Sequence, residues 1–206
     1  MKLLGLAKQY DFVLVEDDYD YDFHYDNQPI LPLASYRPSE NLVYVGSFSK
    51  LLVPSIRQGF MVAPPHLLAD LTLQRRYIDR CGDPLVERSM AALITSGLIG
   101  RHLRKSMRTY KKRRDLFTML LQQELAGYVH FTKPNGGMAI WAEFDACVDV
   151  IKLCEDCLRD GLYLASPNDY NQPDLQTTRL GFASMDEQQH LRAFEILKKN
   201  VFRQVK

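Results

Sequence analysis

The sequence predicts an α/β fold, with a mostly parallel sheet portion in the first half followed by a small α+β domain. Three observations predict it. In residues 1–100, short apolar runs alternate with amphipathic stretches, the pattern of strands joined by helices that cover a parallel sheet. In residues 101–206, short strand-like runs lie close together and are bracketed by helical patterns, which fits a small sheet packed on helices. Between the halves, 101–126 reads as one long helix, so the division is placed at 1–100 and 101–206.

Taken in order, residues 2–10 read as a helix with Leu3, Leu4, Leu6 and Ala7 apolar. Phe12-Val13-Leu14-Val15 is a buried-strand run that ends in the acids Glu16-Asp17-Asp18, and α/β sheets place their sites at such strand ends. Residues 20–40 contain Pro29, Pro32 and Pro38 among polar and aromatic residues and predict a long irregular connection. Leu42–Val45 and Gly59–Ala63 are two further strands, the second closed by Pro64-Pro65. Helical patterns follow over 66–80 and 85–98, with Gly97 and Gly100 marking the end of the latter.

The long helix is dense in Arg and Lys through Arg114, yet Leu103, Met107, Tyr110, Leu116, Met119 and Leu120 recur near helical spacing. The charges therefore read as its solvated face rather than a nucleic-acid patch. Strands are expected at 129–131, 138–144, 163–165 and 178–182, and a closing helix over 186–199. Cys154 and Cys157 fall inside an amphipathic helix over 148–158 that Gly161 caps, without a second Cys pair or paired histidines. They read as buried thiols packing as small hydrophobes, and no metal site is expected.

Bulk properties bound the function. The chain has 206 residues, 46% of them hydrophobic and 25% charged, with net charge +1. That balance gives no reason for an obligatory nucleic-acid or anionic-membrane partner. No apolar run approaches the roughly 20 residues a membrane span needs. The N-terminal stretch is too short and too soon polar for a secretory signal, so a cytoplasmic location is expected.

The chemistry concentrates around Gly46-Ser47-Phe48-Ser49-Lys50, with Arg57 seven residues after the lysine. A strand-end lysine can act as a nucleophile toward a carbonyl, and two hydroxyls with a guanidinium can hold a phosphate dianion. An aldehyde and a phosphate belong together in pyridoxal 5'-phosphate (PLP). That cofactor asks for a Schiff-base lysine, a carboxylate at its pyridine nitrogen, a donor at its phenolic oxygen and a phosphate clamp. Lys50 can supply the first, Asp17 or Asp18 the second, Tyr19 the third, and Ser47, Ser49 and Arg57 the fourth. An amino-acid substrate adds a bidentate arginine for its carboxylate. Arg179 is the candidate, since it stands in an otherwise apolar strand and is expected to be paired there.

Four segments carry a family resemblance: E-D-D-Y-D (16–20), S-F-S-K-x-x-x-P-x-x-R-x-G (47–59), P-N-G-G-M (134–138) and T-R-L-G-F (178–182). Together they resemble the fold-type-I PLP-dependent transferases of the aspartate-aminotransferase class. With Y-K-K-R-R (110–114) they resemble most the aminotransferase-like domain of MocR-type members of the GntR regulator family. The resemblance implies Lys50 as the Schiff-base lysine, Asp17 at the pyridine nitrogen and Tyr19 at the phenolic oxygen. It further implies Ser47 and Arg57, with Ser49 beside them, at the phosphate, and Arg179 on the substrate carboxylate.

Family members are considerably longer, so the resemblance implies the C-terminal half of that fold within a larger protein. The chain then lacks the half that brings the phosphate-cradling backbone nest and the ring that stacks on the pyridine. It also lacks a winged-helix DNA-binding segment. Three readings stay open: an enzyme exchanging amino groups between amino and keto acids, the effector-sensing domain of a regulator, or a truncated piece without chemistry of its own. The partners expected are an amino or keto acid and, in the intact protein, a second copy forming a homodimer.

Overall fold

A computed structural model describes residues 2–26, 31–36, 40–78 and 80–205. The chain divides into two compact units, Met1–Lys105 and Ser106–Lys206. Of the three loop prolines, Pro29 and Pro38 lie outside the described residues.

The first unit holds α1 (Lys2–Tyr10), β1 (Leu14–Asp18), β2 (Leu42–Ser47), β3 (Gly59–Val62), α2 (Pro65–Ile78) and α3 (Pro84–Thr95). Its sheet has the order β1-β2-β3. β1 and β2 are parallel, with Leu14 opposite Leu42 and Asp18 opposite Gly46. β3 returns antiparallel to β2, with Ser47 opposite Gly59. The eleven positions between them contain no crossover helix, only a short 3-10 turn at Pro54–Ile56, so the chain can only fold back on itself there.

β1 starts two residues later than the apolar run suggested. Asp11 turns the chain with φ 50°, and Phe12 N bonds back to Ala7 O at 3.1 Å, so extension begins at Leu14. The three acids are thereby inside the strand rather than beyond it. Asp83 caps α3 by accepting from Leu85 N and Val86 N, and Gly97, at φ +70°, closes it.

α4 (Leu98–Glu124) runs across the division. The second unit continues with β4 (Val129–His130), β5 (Ala139–Phe144), α5 (Val150–Arg159), β6 (Thr177–Gly181) and α6 (Glu187–Gln204). β4, β5 and β6 form an antiparallel sheet in that order. Strand alternation buries Ile140, Ala142, Phe144, Thr178 and Leu180 and leaves Trp141, Glu143 and Arg179 exposed. Leu121, Leu125, Leu153, Phe182 and Phe194 complete a core in which each is at most 1% exposed.

Cys154 and Cys157 are buried there, as their helical spacing predicts, and both are free thiols. Burial pushes them up to about 11 and about 12 respectively, so both are neutral, packed groups. The strand expected at 163–165 does not form. Leu162 and Leu164 are buried with Tyr163 exposed between them, which produced the strand-like alternation. The carbonyl of Ala165 is taken by side chains, accepting from Thr178 Oγ1 at 2.6 Å. Among the described residues no helix is long and apolar enough to cross a membrane.

Candidate functional site

The first unit places the lysine segment directly after β2. Ser49 N donates to Ser47 Oγ at 3.2 Å, Leu51 N to Phe48 O at 3.1 Å, and Phe48 N to Gln58 O at 3.0 Å. Ser49 and Leu51 turn inward and are each 8% exposed, while Lys50 between them points out. Lys50 has no hydrogen bond or ion pair among the described residues.

β3 holds this turn closed. A Cβ on Gly59 would lie 2.6 Å from Gly46 O, and one on Gly46 would strike the Phe60 ring at 2.4 Å. Gly59 needs to be glycine for this backbone approach, whereas a side chain at Gly46 would require the exposed Phe60 ring to move. Phe60 also packs on Phe48 and Tyr44, with ring centroids 5.5 Å and 5.9 Å away.

Register separates the two aspartates. Asp17 is opposite Val45, two residues before Ser47, so Asp17 and Ser47 project from the same face of the sheet. Glu16 and Asp18 project from the other face and are already engaged. Glu16 accepts from Leu33 N at 2.8 Å and Ala34 N at 3.2 Å; Asp18 accepts from Tyr44 Oη at 3.2 Å. Burial and then the Asp18 charge push the Tyr44 hydroxyl up to about 12. The same two causes raise Asp22. Asp17 and, one residue beyond β1, Tyr19 are exposed and carry no such bonds among the described residues.

Arg57 ends the Pro54–Ile56 turn in the left-handed conformation, φ 49° and ψ 39°, with its side chain exposed. The donor set in this unit is one amine, two hydroxyls and a guanidinium, with a carboxylate on the Ser47 face. Those groups match a phosphate dianion, an aldehyde and a protonated ring nitrogen, so the residues present fit PLP.

Arg179 belongs to the second unit, on β6 opposite Trp141. It was expected to be paired within an apolar strand. Instead it lies on the exposed face of the sheet and forms no ion pair among the described residues, because alternation sends only its neighbours Thr178 and Leu180 into the core.

Two anchoring residues escaped the sequence reading. Arg114, taken as part of a solvated face, is 0% exposed. Its guanidinium bonds Asp115 through Nε at 3.0 Å and Nη2 at 2.7 Å, and Pro134 O at 2.8 Å. Lys133 closes the group on Asp115 at 2.7 Å. Arg113 donates to Ala183 O. Adjacent residues of α4 thereby hold the turn before β5 and the segment after β6, which also bond each other from Phe182 N to Met138 O. A signal was present: Arg114 sits on the stripe Tyr110, Phe117, Leu121 at helical spacing.

Comparison with known proteins gives the frame for this geometry. The family description "Aminotransferase class I and II" matches residues 1–197. Aromatic-amino-acid aminotransferase 1 of Thermococcus litoralis is 30% identical over 189 residues, 91% of this chain and 45% of that protein. The probable rhizopine catabolism regulatory protein MocR of Rhizobium meliloti is 28% identical over 191 residues, 90% of this chain and 38% of its own. The structure of Pyrococcus horikoshii kynurenine aminotransferase in complex with PMP superposes with a TM-score of 0.90 at 28% identity. It matches 100% of this chain and 51% of that one. The chain spans less than half the length of the two curated relatives and about half of the solved structure. Its fold is the aspartate-aminotransferase-like fold of PLP-dependent transferases, and PLP is the cofactor that the family match and the PMP-bound neighbour support. The chain belongs to the class I and II aminotransferase family.

Proposed function

We propose that this chain is the lysine-bearing part of a PLP-binding aminotransferase domain, with Lys50 as the residue that attaches the cofactor. The supporting observation is the turn after β2, where the Ser49 amide donates to Ser47 Oγ and Lys50 next to it is exposed. Ser47, Ser49 and Arg57 would hold the phosphate, Asp17 would keep the ring nitrogen protonated, and the Tyr19 hydroxyl would donate to the phenolic oxygen. When bound, PLP supplies an electron sink for bonds at a substrate's Cα. Arg179 would bind the substrate carboxylate. The Lys50 amine would take the proton from Cα as a general base. In the whole protein this domain is expected to act in the cytoplasm as a homodimer on an amino or keto acid, with residues 1–100 as part of the large PLP domain and 101–206 as the small one.

A second reading is favoured by the MocR match over 90% of the chain. In it the same site senses an amino-acid effector and shifts a conformational equilibrium without turnover.

Borohydride reduction of the chain incubated with PLP, followed by peptide mapping, tests the lysine. The adduct is expected on Lys50 and absent from Lys50→Ala. Equal labelling of several lysines, unchanged in that variant, would refute the assignment. Amino transfer to a keto acid by the whole protein separates the enzyme from the sensor.

A further inference from the structure

Arg179 does not stand alone on the exposed face of its sheet. Register sets Glu143 opposite Thr177, Trp141 opposite Arg179, and Ala139 opposite Gly181. Strand alternation puts all six on the side away from the core. Chemistry changes stepwise along this strip: a carboxylate beside a threonine whose hydroxyl is buried, then an indole and a guanidinium, then a methyl facing a bare backbone. Opposed residues have Cβ atoms about 5 Å apart, so Trp141 and Arg179 are cross-strand neighbours on this face.

Trp141 is 53% exposed, although tryptophan is on average a largely buried residue. Beside it the strip is open, since a Cβ placed on Gly181 would meet nothing within 4 Å. Ala139 adds only a methyl to the floor of that notch.

We infer that this strip is a subsite for a carboxylate that carries a flat aromatic group. The carboxylate lies on Arg179, and the ring lies against Trp141 and over the Ala139–Gly181 notch. Glu143 fixes the direction: its charge at the far end repels the carboxylate and disfavours an apolar group, so the ring points toward the notch. This rests on the reading of Arg179 as the carboxylate-binding arginine and adds the class of side chain selected.

Trp141 is the chain's single tryptophan, so its emission reports on the strip directly. The full chain is titrated with 3-phenylpropionate, propionate and 3-phenylpropionamide. A saturable change is expected with 3-phenylpropionate, with affinity for each of the other two roughly ten-fold lower, from losing the ring contact or the charge. Ligand-observed NMR then follows the variants. Trp141→Leu and, independently, Ala139→Leu are expected to bring 3-phenylpropionate down to the affinity of propionate. Arg179→Ala is expected to abolish binding of both carboxylates. If Arg179→Ala leaves binding intact, the carboxylate reading and this inference both fall. If Arg179→Ala abolishes binding while both other variants keep the ten-fold preference for the phenyl group, this inference alone falls. Absence of 3-phenylpropionate binding to the wild-type chain also overturns it.

Discussion

The hydroxyl of Tyr44 lies 3.2 Å from Oδ2 of Asp18, on the face of the sheet opposite Asp17. This bond commits Asp18 to structure and leaves Asp17 available. Asp17→Asn is therefore expected to leave stability within about 0.5 kcal/mol of wild type, as for an exposed substitution. Tyr44→Phe is expected to cost about 1.5–3 kcal/mol, the scale for losing a hydrogen bond to a carboxylate. Urea unfolding of the two variants checks the contrast.

The same tyrosine gives an alkaline limit. Its folded value is raised to about 12 from 10.0. Between those values the folded state binds the proton more tightly than the unfolded one. The contribution to stability is thus fully present below pH 10 and lost as the pH rises toward 12. Tyr44→Phe should flatten this part of the stability profile, with the midpoint in urea as the readout.

Asp115 gives the acid limit of the second unit. Burial alone would raise it, but the hydrogen bonds and charges of Lys133 and Arg114 prevail and hold it below 3.8. Its contribution is full above that value and lost as the pH falls through the lower folded value. Asp115→Asn should reduce the acid dependence. Arg114→Met should cost about 1–3 kcal/mol, because it leaves Pro134 O without its donor, while the half-exposed Asp115 keeps Lys133. Denaturation from pH 7 to pH 3 tests both.

The four thiols divide by position. Cys81 and Cys147 are exposed, Cys154 and Cys157 buried with raised values. At pH 8 a water-soluble disulfide reagent should titrate two thiols in the folded chain and four in denaturant. Cys147 should be the slower of the exposed pair, because its bond to Asp145 raises it.

Gly59→Ala tests the closure of the lysine turn. The new methyl would meet Gly46 O at 2.6 Å, and that oxygen is backbone, so β2 and β3 must part. A loss of about 1–3 kcal/mol is expected, together with reduced PLP labelling of Lys50.

Much of this was legible in the sequence because local chemistry and register agree. The run 42–47 is a strand with its motif at the end, and Cys154-x-x-Cys157 follows the buried side of α5. Residue chemistry left Asp17 or Asp18 open and the family resemblance chose Asp17; pairing with β2 sets the two on opposite faces. The pairing of Arg179 was misjudged because apolar neighbours in a strand share its sequence and not its face. Arg114 was missed because a charge on a long basic helix looks solvated until its partners, Asp115 and the distant Pro134 carbonyl, are known.

Arg57 holds a backbone conformation that a residue without a side chain adopts freely. Replacement by glycine would relax that strain, worth on the order of 1 kcal/mol, while removing the cation. Thermal robustness and the proposed anion role are therefore opposed at this one position. Selection for melting temperature alone would drift toward Arg57→Gly and yield a sturdier chain without the cation proposed for the phosphate.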